Sequence, residues 1–100
     1  MENNQFKISA KVWLYPGMAA WHFITIPKKE SDKITAVFGG LKKGWGSLPV
    51  NVTIGNTTWK TSIFPDKKAG AYLLPLKAAI RKKEKITNDQ TVTFLLEIQI

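Results

Sequence analysis

Residues 72–100 read YLLPLKAAIRKKEKITNDQTVTFLLEIQI, and the fold turns on how this stretch is parsed. Tyr72 to Leu74 reads as the end of a strand. Pro75 suits a first helical turn, where its missing N–H has no partner to lose. From there Leu76, Ala79 and Ile80 fall at i, i+3 and i+4, one helical face, while Lys77, Arg81 and Lys85 recur every fourth residue on another. After an Asn88-Asp89 turn, Val92, Phe94, Leu96, Ile98 and Ile100 alternate with Thr91, Thr93, Glu97 and Gln99. This is a half-buried strand stitched into a sheet.

Working outward, the rest of the chain supplies partners for that strand. Phe6, Ile8, Ala10, Val12 and Leu14 alternate with Lys7, Ser9, Lys11, Trp13 and Tyr15, a strand with one wet face. Pro16-Gly17 is a turn pair. Trp21 to Ile26 returns as a strand that is apolar on both sides, stopped by Pro27. Ser31 reads as an N-cap and Asp32 as a first-turn acid, with Ile34, Val37, Phe38 and Leu41 forming an apolar helical face that ends at Gly39-Gly40. Leu48, Val50, Val52 and Ile54 make a one-faced strand. Gly55-Asn56 then signals a two-residue hairpin into Thr57 to Phe64, which Phe64-Pro65-Asp66 is expected to break. A further strand starts at Ala71.

The pattern predicts a mainly β fold, a small closed or pseudo-closed barrel of six or seven strands capped by short helices near 31–38 and 75–84. Val50, Val52, Ile54, Phe94, Leu96 and Ile98 are expected inside, and Trp21, Phe23, Phe38, Trp59 and Phe64 are read as core aromatics. Trp13 and Trp45, among polar neighbours, are equally compatible with an exposed place. No sequence repeat is visible, although both halves share a rough hairpin-then-helix order. The whole of 1–100 reads as one domain.

With these runs in view, the chain resembles the bacterial Domain of Unknown Function nineteen-oh-five family. The residues that carry the likeness are Trp21-His22-Phe23, Gly44-Trp45-Gly46-Ser47, Val52-Thr53-Ile54-Gly55, Thr61-Ser62-Ile63-Phe64-Pro65-Asp66, and Gly70 through Lys77 on to Arg81. The resemblance implies a double-split β-barrel, distantly related to AbrB/MazE-like swapped-hairpin DNA-binding domains, and it implies no activity. Two residues depart from the family pattern: Asn88 stands where Gly-Asp is usual, and Trp45 where Phe is common.

Composition narrows the function classes. The chain has no cysteine, so it has neither a disulfide framework nor a thiolate metal site. No apolar run approaches the ~20 residues of a spanning helix, the start lacks the features of a signal peptide, and cytoplasm is the default reading. His22 is the single histidine and has no evident catalytic or metal-binding partners. Ser47 does not sit in a Gly-x-Ser-x-Gly elbow, and the glycines form no nucleotide fingerprint. The acids suit helix starts, turns and wet strand faces. No enzymatic activity, metal or cofactor is expected.

Fifteen Lys and Arg against seven Asp and Glu give a net charge of +8, which favours anionic partners. The expected function is a non-enzymatic binding module for a small anionic ligand, a nucleotide or phosphorylated metabolite. Its site would be formed by Lys42, Lys43, Trp45, Ser47, Tyr72, Lys77 and Arg81. The alternatives are a weak or non-specific nucleic-acid-binding module and an enzyme with an unrecognised site. No membrane partner is expected. The strand count suffices for a self-contained monomer without fixing the oligomeric state.

Overall fold

The structure, a computed structural model, describes residues 4–17, 21–39 and 46–99. Among these the elements run β1 (Gln5–Leu14), β2 (His22–Thr25), α1 (Lys28–Phe38), β3 (Leu48–Ile54), β4 (Thr57–Asp66), β5 (Ala71–Leu76), α2 (Ala78–Lys83) and β6 (Thr91–Ile98). The strands close into a barrel in the order β1-β2-β5-β4-β3-β6, every neighbouring pair antiparallel. Exchanging β1 with β4, β2 with β5 and β3 with β6 leaves every pairing in place. The shared hairpin-then-helix order is therefore a ββαβ unit used twice, each unit supplying what closes the other.

Two strands change partner along their length. β1 pairs with β6 over Gln5–Lys11 and then with β2 over Val12–Leu14. β4 pairs with β3 as far as Ile63 and with β5 from Phe64 to Asp66. The barrel thus has two faces, β6–β3 with the first parts of β1 and β4, and β2–β5 with their last parts.

The period-two pattern points the same set inward on both faces. Val50, Val52, Ile54, Phe94, Leu96 and Ile98 are all buried, joined by Ile8, Val12, Ile24, Ile63 and Leu74. Two of the aromatics expected inside, Phe38 and Trp59, are partly buried and pack against this cluster.

Pro75 is a strand residue and does not open a helix. β5 runs on to Leu76, with Pro75 opposite Phe23, and the helix begins only at Ala78. Pro65 likewise lies within β4, opposite Tyr72, and does not break it. One reason covers both. Pro65 comes after β4 has left β3, and Pro75 comes after β5 has left β4, so each stands where one side of its strand has no ladder to donate to.

The first helix starts three residues before the expected cap. Pro27 is its N-cap residue, with no side-chain hydrogen bond, and Ser31 is buried within it. The Ser31 hydroxyl donates to the Ile26 carbonyl at 2.9 Å and accepts the Tyr72 N–H at 3.1 Å, bolting α1 to β5. A hydroxyl that reads as a cap is instead used across the fold. In the last turn, the left-handed residue is Asp89 (φ 69°), one position after Asn88.

Candidate functional site

Outward-pointing residues distinguish the two faces. On the β2–β5 face, Trp13, Tyr15, Phe23, Leu73 and Phe64 alternate with buried Val12, Ile24, Leu74 and Ile63, so their side chains stand on the outside of the barrel. Trp21 joins them: the Tyr15 N–H donates to its carbonyl at 2.9 Å, extending the hairpin by one more pair. Trp21 is 52% exposed, Tyr15 42% and Phe64 41%. Trp21, Phe23 and Phe64 are therefore not core residues. Where both faces of a strand are apolar, alternation sorts residues into two sets without saying which set faces inward.

The four rings of Trp13, Tyr15, Trp21 and Phe23 touch in a chain of contacts with centroids 5.3 to 6.4 Å apart. Trp13 is pinned by its indole N–H, which donates to Thr25 Oγ1 at 2.9 Å. Beside this cluster lies a groove of 680 Å³, walled by Trp21, Phe23, Phe64, Leu73 and Pro75 and bordered on the α2 side by Lys77 and Arg81. That volume falls within the ~300–1,000 Å³ usual for small-ligand sites. Lys77 is exposed at the N-cap of α2. The Arg81 guanidinium is oriented by donation from Nε to the Leu76 carbonyl at 3.3 Å. His22, half-buried at the end of β2 between Leu14 and Leu76, also borders the groove.

Of the residues read from sequence as the site, Lys77 and Arg81 come together. Tyr72 does not join them: it is 3% exposed and borders a separate pocket of 150 Å³ near Thr35 and Lys67. Ser47 is half-buried just before β3 and does not line the groove. Lys42, Lys43 and Trp45 lie outside the described residues. The expected stripe of Lys77, Arg81 and Lys85 is cut short, because α2 ends at Lys83 and Lys85 takes φ 55° beyond it. Sequence reasoning missed Trp21, Phe23, Phe64, Leu73 and Pro75. The available signal was Ile63-Phe64, two adjacent apolar residues on a strand, of which one must point out.

Among the described residues no group of three or more His, Cys, Asp or Glu is placed to hold a metal ion, and no helix is long and apolar enough to cross a membrane.

Comparison with known families agrees with the resemblance carried by the sequence. The profile described as "Domain of unknown function (DUF1905)" matches residues 9–96, a span from β1 through most of β6. The chain belongs to that family. No curated protein matches it. The aromatic groove of this DUF1905 chain is built wholly from residues inside the matched span.

Proposed function

We propose that the protein is a non-enzymatic binding module for a small ligand with a flat apolar body and an anionic group, a nucleotide or a phosphorylated metabolite. The observation that carries this is the 680 Å³ groove, apolar along its walls and bordered by Lys77 and Arg81. Rings and aliphatic walls gain by covering a flat apolar body, and the two cations fix which end carries the charge. Among the described residues, the titratable groups on the groove's border are His22, Lys77 and Arg81. The two-fold exchange of strands also supports reading the barrel as the double-split kind.

Calorimetric titration with adenosine monophosphate and with adenosine tests the reading. The monophosphate is expected to bind about tenfold or more tightly than the nucleoside, the difference vanishing in Lys77→Ala/Arg81→Ala. Equal affinity for the two, or affinity unchanged in the double variant, overturns it.

A further inference from the structure

A second groove adjoins the first. It encloses 580 Å³, is walled by Trp13, Tyr15, Pro16 and Pro65, and carries Lys67 and Lys68 on its border. Leu73 lines both grooves, so they share a wall. The four-ring cluster supplies walls to both, Trp13 and Tyr15 to one and Trp21 and Phe23 to the other. Its contacts are all tilted or edge-on, with interplanar angles from 33° to 78°. Rings meeting in this way leave part of each face uncovered, in keeping with the exposure of Trp21 and Tyr15.

Charge brackets the aromatic ground. Lys77 and Arg81 border the first groove and Lys67 and Lys68 the second. Asp66, the carboxylate on that second border, accepts the Lys68 N–H at 3.1 Å. Two lysines against that one carboxylate leave the border net positive.

A mononucleotide would use one groove and one cation pair. Using both grooves takes a ligand that repeats a flat ring and an anion. We infer that this face is a stacking track for single-stranded nucleic acid of about four nucleotides, bases on the aromatic rings and phosphates at the two cation pairs. The cation pairs lie toward opposite ends of β5, Lys67 and Lys68 in the turn before Ala71 and Lys77 just after Leu76, and the 6 residues of that strand span roughly 20 Å. A duplex is disfavoured, because its bases are stacked on one another and must be unstacked before they can lie on protein rings. The inference rests on the first groove being the binding site proposed above, and it extends that site across the sheet.

The test follows Trp fluorescence of the full chain on titration with oligothymidylate and oligouridylate of about eight nucleotides, a duplex of equal length, and adenosine monophosphate. Either oligomer is expected to bind about a hundredfold more tightly than the mononucleotide, with quenching. Log affinity should fall against log salt with a slope near −3, dropping to about −1.5 in Lys67→Ala/Lys68→Ala. That variant should leave mononucleotide binding unchanged, and Trp21→Ser should weaken the oligomer by about tenfold. An oligomer no tighter than the mononucleotide overturns the track while leaving the small-ligand reading intact, and binding of neither removes both. Equal binding of the duplex also overturns it. So does sedimentation showing a self-association that Trp21→Ser abolishes while no oligomer binds, which would assign the face to a second copy of the chain.

Discussion

The outer surface of the β6–β3 face and that of the β2–β5 face share two strands, and yet they are made of different chemistry. On β1 the outward residues run Gln5, Lys7, Ser9 and Lys11 while the strand is paired with β6, then Trp13 once it is paired with β2. On β4 they run Thr58, Lys60 and Ser62 beside β3, then Phe64 beside β5. The polar face is tied by side chains reaching across strands, Ser9 to Thr93 at 2.6 Å and Thr53 to Thr58 at 2.9 Å, with Leu95 an exposed exception. The interior is apolar behind both. What differs is therefore not demanded by closing the barrel. A barrel needs one apolar side per strand, and a second apolar side on one half only is the ground on which the binding function proposed above rests.

The sharpest way to break this comparison is to truncate the same residue type on the two sides of the wall. Phe94 is 2% exposed and Phe64 41%. Phe94→Ala should cost about 3–5 kcal/mol in urea melts, and Phe64→Ala less than about 1 kcal/mol. Equal losses would mean that Phe64 is structural and the outer face is no separate layer.

Next in size are the polar contacts that tie the helical turns to the strands. Ser31→Ala leaves the Tyr72 N–H without its acceptor in a buried setting, and chemical denaturation should show a loss of about 1–3 kcal/mol. Thr57 donates to Glu84 Oε2 at 2.6 Å, binding the start of β4 to the turn after α2. Thr57→Val is expected to cost a similar ~1.5–3 kcal/mol, as for a hydrogen bond to a charged group. Gly55→Ala strikes the same contact, since a Cβ there would lie 2.5 Å from Glu84 Oε1 on a backbone with φ 55°.

The smallest stability effects are expected on the two outer faces, and there function should separate them. Trp21→Ser on the aromatic face and Ser9→Ala on the polar face should each shift stability by no more than about 0.5 kcal/mol. Only Trp21→Ser should change the affinity for adenosine monophosphate. Parallel melts and titrations decide it, and an equal effect on binding from Ser9→Ala would erase the distinction between the faces.

These expectations also mark what the sequence makes legible. Alternation alone places β3 and β6 and their inward residues, because only one side of each is predominantly apolar. The Gly55-Asn56 hairpin is equally plain from its two residues. Ser31, Pro65 and Pro75 are opaque for a shared reason: each has a familiar local role, and the partners that give it another lie far along the chain. Ser31 meets Tyr72 and Pro75 meets Phe23, contacts that no window of neighbouring residues contains. The groove was half legible. Its cations stand out in a basic helix, whereas its aromatic walls look like core until the direction of each strand face is known.

The two-fold exchange of the ββαβ units has a consequence for the order in which the chain is read. Asn4 and Ile98 already hold one another, the Ile98 N–H donating to the Asn4 carbonyl at 2.8 Å and the Asn4 amide donating back at 3.2 Å. The units meet again at the exposed Gly55-Asn56 turn. Joining the first pair of ends by a short link and opening the second would yield β4-β5-α2-β6-β1-β2-α1-β3. That circular permutant has the same succession of strands and helices as the native chain, with the halves trading places. Its two halves are interchangeable in sequence order, but only one of them carries the tryptophans of the aromatic face.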